Sequence, residues 1–196
     1  YLFMLLSISF MLVPATVVLH QKMTVGYSTG FTKALIKNLK LSFQFALLHT
    51  IFNLILHLIL FVILYYITYA LYLGLKVIGL SFAVLIIAFF QGIKRALISQ
   101  WLPNVIIEKK GVFKSFISSI KSSKKLMSSL LPFFTILSLI VITVSLATSV
   151  FTAYLMPVLV FSISVIFLMS ANLISYYRAN KKNYMINDQK FTFDDL

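Results

Sequence analysis

The 196-residue chain has no cysteine, and only four of its residues are acidic. Without cysteine there is no disulfide framework, no thiolate metal site and no cysteine nucleophile. The acids are Glu108, Asp188, Asp194 and Asp195, so none falls inside a long apolar run. An intramembrane proton relay built on Asp or Glu is therefore excluded. There is no GxSxG, no HExxH, no P-loop and no carboxylate pair placed for acid–base work. The chain is not expected to be an enzyme, and no cofactor or metal is expected. A removable signal peptide is not expected, because no basic n-region or small-residue cleavage site is visible.

What the chain does have is apolar mass. Its hydrophobic fraction is 61 %, against about 45–50 % for soluble domains, and its mean hydropathy is +1.01. A water-soluble domain of this size would leave much of that surface facing solvent, so the solvent must be lipid. Spanning the hydrocarbon core takes roughly 20 apolar residues. Spans are predicted at about 2–19, 41–64, 77–99, 130–152 and 155–177, forming one transmembrane domain over 1–177 with a polar tail over 178–196. Pro132 and Pro157 are expected to begin the last two spans, and Gly74 and Gly79 to bracket Lys76 in a short turn. Tyr65, Tyr66, Tyr69 and Tyr72 crowd the far end of the second span, where amphipathic rings favour the headgroup level. The chain opens YLFMLLSISF, without Met and already apolar, which leads to the expectation of missing upstream residues and a sixth span there.

The formal net charge of +13 raises nucleic acid as a partner. A membrane chain, however, accounts for it through the lysine excess of cytoplasmic segments, so no nucleic acid is expected. Every Lys and Arg except Lys76 lies in 20–40, 94–125 or 178–190. With five spans, those three segments share one side. That side is predicted to be cytoplasmic, which puts the C-terminus inside at the plasma (inner) membrane.

The densest basic stretch is WLPNVIIEKKGVFKSFISSIKSSKK, residues 101–125. A weaker copy of its pattern runs over 13–40. Each copy has a proline near a span end, an apolar β-branched stretch, then glycine, phenylalanine and a lysine-bearing amphipathic helix. The helices are predicted at about 31–40 and 112–127, both on the cytoplasmic face. Same-face copies make a parallel repeat; the inverted repeats of many transporters would put them on opposite faces. The alternative is that any two basic membrane loops look alike. In the second copy Phe113, Phe116, Ile117 and Ile120 are expected in the acyl boundary, with glycine turning the incoming chain. Lys114, Lys121, Lys124 and Lys125, like Lys33, Lys37 and Lys40 of the first copy, would then reach anionic headgroups or a partner. The plainer role is topology control and connection.

The second copy, with Pro103, Val105, Ile106, Ile107, Glu108, Lys109, Gly111, Val112, Phe113, Ser115, Ser118, Ser119 and Lys121, resembles YciC-like bacterial membrane proteins. These are grouped with the membrane domain found beside glycerophosphoryl diester phosphodiesterases. The likeness covers about the last half of the chain, which uses lysine where that family often has arginine. It implies an all-α polytopic inner-membrane protein and supplies no catalytic residue.

Inside the spans, His49, Asn53 and His57 follow at i, i+4 and i+8 and share a helix face. Such a face turns to protein or a polar cavity. It serves as interhelical glue, as part of a transport path, or as a two-histidine metal site that lacks most of its usual ligands. Gln91, Lys94 and Arg95 lie near the inner end of the third span. Lys94 and Arg95 most simply snorkel to the interface. If the helix runs straight on to Pro103, they sit deeper and can bind a phosphate or lipid headgroup. Two functions follow. One is a non-catalytic accessory or scaffolding subunit that packs against other membrane subunits. The other is a permease-like or lipid-handling protein with a polar path near spans two and three.

Overall fold

A computed structural model of the chain describes residues 2–152, 155–182, 184–186 and 189–191. Seven helices account for nearly all of it: α1 (Leu2–Val25), α2 (Phe31–Lys37), α3 (Leu39–Ile98), α4 (Trp101–Ile107), α5 (Val112–Lys125), α6 (Met127–Thr152) and α7 (Leu155–Ala179). Two three-residue strands, β1 (Tyr184–Ile186) and β2 (Gln189–Phe191), pair antiparallel near the C-terminus. The protein is all-α in class. Among the described residues four helical segments are long and apolar enough to cross a membrane: Leu2–Val25, Leu39–Lys76, Ile78–Ile107 and Met127–Ala147. A shorter apolar stretch, Ile163–Ala179, follows.

Several boundaries differ from the sequence reading. The helix predicted over 41–64 continues to Lys76, because no glycine or proline interrupts it before Gly74. At 1.5 Å per residue that is about 57 Å, nearly twice the roughly 30 Å of hydrocarbon. The expected turn is a kink at Lys76, which takes φ 48°, ψ −122°. Gly79 is needed just past it, because a Cβ there would collide with the Leu71 carbonyl and lie 3.2 Å from the Tyr72 nitrogen. The predicted third span, 77–99, extends through Ile107, since Gln100 keeps right-handed helical angles (φ −88°, ψ −6°) between α3 and α4. The predicted interfacial helix over 31–40 ends at Lys37; Asn38 (φ −112°, ψ 20°) caps it and leads directly into α3. The one expected over 112–127 ends at Lys125. Pro132 lies inside α6 rather than at its start.

The chain divides into two compact units. The first joins Tyr1–Phe52, Ile98–Lys125 and Leu168–Leu196. Its core is Val13, Phe45, Trp101, Leu102 and Val105, all buried, with Phe52, Val112 and Phe116 packed around them. Trp101 sits at the centre, with ring centroids 4.7 Å from Phe116 and 5.1 Å from Phe45. Its indole N–H donates to the Val112 carbonyl at 2.9 Å. A second cluster gathers Leu173, Tyr176 and Tyr177 against Leu19, Met23 and Ile107.

The second unit joins Asn53–Leu97 and Leu126–Phe167. Here Gly92 lets α3 approach α6 so closely that a Cβ would sit 2.9 Å from the Thr135 nitrogen. Small residues allow this kind of contact between helices in lipid. Tyr65, Tyr66, Tyr69 and Tyr72 all point outward from their helix.

Candidate functional site

His49, Asn53 and His57 follow one another along α3 and make different hydrogen bonds. His49 belongs to the first unit, where its ring stacks on Phe45 and its Nδ1 meets the Ser9 hydroxyl at 2.7 Å. Ser9 gives its own proton to the Leu5 carbonyl, so in this pair His49 Nδ1–H donates and Ser9 Oγ accepts. That contact ties α3 to α1 as interhelical hydrogen bonding.

Asn53 and His57 belong to the second unit, and both meet Lys94. The ammonium donates to Asn53 Oδ1 and to His57 Nε2, each at 3.2 Å. An ammonium has three N–H donors and no acceptor. His57 Nε2 must therefore be unprotonated, with the ring neutral and its proton on Nδ1. Lys94 lies about 20 Å of helix before Ile107, where its span ends. It is half-buried and tied across to the preceding candidate span of α3. Arg95 is also half-buried, and its Nη1 has no partner among the described residues. Gln91 is half-buried and is not among the side chains that meet Lys94.

The basic helices belong to the first unit. On α5 the packed face is a seam of serines: Ser115, Ser119 and Ser123 are fully buried, and Ser123 meets Ser99. Phe116, expected in the acyl boundary, turns inward onto Trp101 and Phe52. The outward face carries Phe113, Ile117, Lys114, Lys121, Lys124 and Lys125. On α2 and the start of α3, Phe31, Ile36, Leu39, Lys33, Lys37 and Lys40 are exposed in the same mixture. The turn into α5 also differs from expectation. Lys109 takes the left-handed angle (φ 51°), while Gly111 does not; in the first copy Gly26 and Gly30 do (φ 82° each).

One network escaped the sequence reading. Glu108, the only acid before the tail, pairs with Lys110 and accepts a hydrogen bond from the Tyr176 hydroxyl at 2.9 Å. Lys182 donates to the same hydroxyl and lies over the Tyr176 ring. Burial pushes the Glu108 carboxyl up. The hydrogen bonds from Lys110 and Tyr176 and the charges of Lys110 and Lys182 outweigh it, and hold the group below the usual carboxylate range. Beside it, Tyr177 meets His20 Nδ1 through its hydroxyl. The signal available was a lone acid in a basic loop, which must find partners.

These features define a multi-pass, all-α membrane protein. Compared with known proteins, the chain matches no family model, no curated protein and no solved structure.

Proposed function

We propose that the protein is a non-catalytic accessory or scaffolding subunit of a bacterial plasma-membrane complex, with its C-terminus in the cytoplasm. The observation that carries this reading is the pair of basic helices in the first unit. Each packs one face inward and turns lysines mixed with large apolar side chains outward. That mixture suits anionic headgroups and the flank of a neighbouring subunit. The likeness of residues 101–125 to YciC-like membrane proteins supports a polytopic role without chemistry. The test is purification of the full chain in mild detergent. A stoichiometric partner chain is expected, and substituting glutamine for Lys33, Lys37, Lys114 and Lys121 together should weaken its retention. A lone 22.3 kDa chain in its micelle overturns the reading.

A second reading, a permease-like or lipid-handling protein, is favoured by one observation: Lys94 bridges the two candidate spans on either side of the Lys76 kink in α3 through Asn53 and His57. Transbilayer movement of a fluorescent phospholipid in liposomes holding the purified protein tests it. Movement no faster than in empty liposomes overturns it.

A further inference from the structure

The second unit holds a charge problem that its own residues do not solve. Residues 53–97 and 126–167 contain no Asp or Glu at all, yet they carry Lys94 and Arg95 side by side within a candidate span. Lys94 is held by Asn53 Oδ1 and by neutral His57. Both accept hydrogen bonds, and neither offers negative charge. Asn53 and His57 aim the ammonium without balancing it. Arg95 leaves a buried Nη1 without a partner among the described residues. Two adjacent cations at this depth are costly unless an anion joins them.

We propose that Lys94 and Arg95 form a binding site for a phosphate-bearing anion, whether a phospholipid headgroup or free phosphate. The proposal deepens the lipid-handling reading by naming the chemistry of its cargo. A guanidinium offers several N–H donors in a planar fork, and the ammonium adds a compact charge with one N–H still uncommitted. A tetrahedral phosphate has enough acceptor oxygens for both where the two long side chains converge on it. In the same unit Leu58, Phe61, Leu85 and Phe89 are exposed, as acyl chains require.

The experiment uses the full chain in mild detergent, titrated separately with short-chain phosphatidylglycerol and with inorganic phosphate, and read by native mass spectrometry and thermal shift. Binding of the lipid is expected, with affinity about tenfold weaker in K94Q and in R95Q and retained in K94R. In a background with glutamine at Lys33, Lys37, Lys114 and Lys121, which removes headgroup contacts on the basic helices, the weakening by K94Q and R95Q should persist. Competition by inorganic phosphate would show that the headgroup alone suffices. Binding of the lipid without competition would show that the acyl chains contribute. Should the glutamine variants fold poorly, photocrosslinking the wild-type chain with a headgroup-azide phospholipid replaces them, with labels expected in peptides holding Lys94 or His57. Equal binding by wild type, K94Q and R95Q, or labels confined to the surface lysines, overturns the site. So does R95Q releasing a partner chain instead of lipid, because a partner's carboxylate would then be the counter-ion. Binding without transbilayer movement keeps the site and removes the handling reading. Movement with R95Q still binding as wild type does the reverse.

Discussion

Trp101 and Glu108 show how single side chains hold the first unit together. Trp101 packs its ring among Phe45, Phe52 and Phe116 and spends its one N–H on Val112, so it fixes where α5 starts. Trp101→Ala is expected to cost about 3–5 kcal/mol by leaving a large void. Trp101→Phe should cost about 1 kcal/mol for the lost hydrogen bond. Thermal unfolding in detergent separates the two. Glu108 gives a pH dependence with a definite sign. Its folded carboxyl sits below the ordinary value of 4.5, so its contribution is complete above that pH and lost as pH falls through the lower folded value. Glu108→Gln should flatten the stability profile below about pH 4.5; a profile unchanged in that window would count against the network. The sequence marked Trp101 and Glu108 as members of a motif. It could not pair Glu108 with Tyr176, because 68 positions separate them and no local pattern encodes that contact.

At the scale of an element, α5 carries the sharpest difference between pattern and packing. Amphipathicity alone put its apolar residues toward lipid. Its smallest residues form the packed seam, since serines let the helix lie close to its neighbour and hydrogen-bond there, as Ser123 does with Ser99. Ser119→Leu is expected to overpack that seam and cost about 1–3 kcal/mol, while Lys121→Leu on the outward face should change stability little. Comparing the two melting temperatures checks the assignment. The spans themselves were legible, because a run of 20 apolar residues has few other fates. Their ends were not. The tyrosines past residue 64 look like a stop but are good enough helix formers to carry on, and only the left-handed angle at Lys76 ends the run.

For the whole molecule, charge predicts the side of the membrane, and the missing cysteine makes the prediction easy to measure. Single cysteines at Lys33, Lys121 and Lys76 need no background removal. An impermeant maleimide added to intact cells should label Lys76→Cys, and should reach Lys33→Cys and Lys121→Cys only after permeabilisation. Labelling of Lys33→Cys and Lys121→Cys from opposite sides would end the parallel repeat. The two copies also share a contact logic that only the folded chain reveals. Tyr177 holds His20 within the first copy, and Tyr176 holds Glu108 within the second.

Tyr176 and Tyr177 emerge from the ribosome 68 and 157 residues after Glu108 and His20, the groups they hold. The first unit is assembled from the opening, middle and closing stretches of the sequence, so a nascent chain inserts its early helices while their polar partners are still unmade. A polypeptide stopped after residue 167 should therefore insert yet never lock, and fall to membrane proteases faster than the 196-residue chain. The first unit closes only after its last helix has left the ribosome.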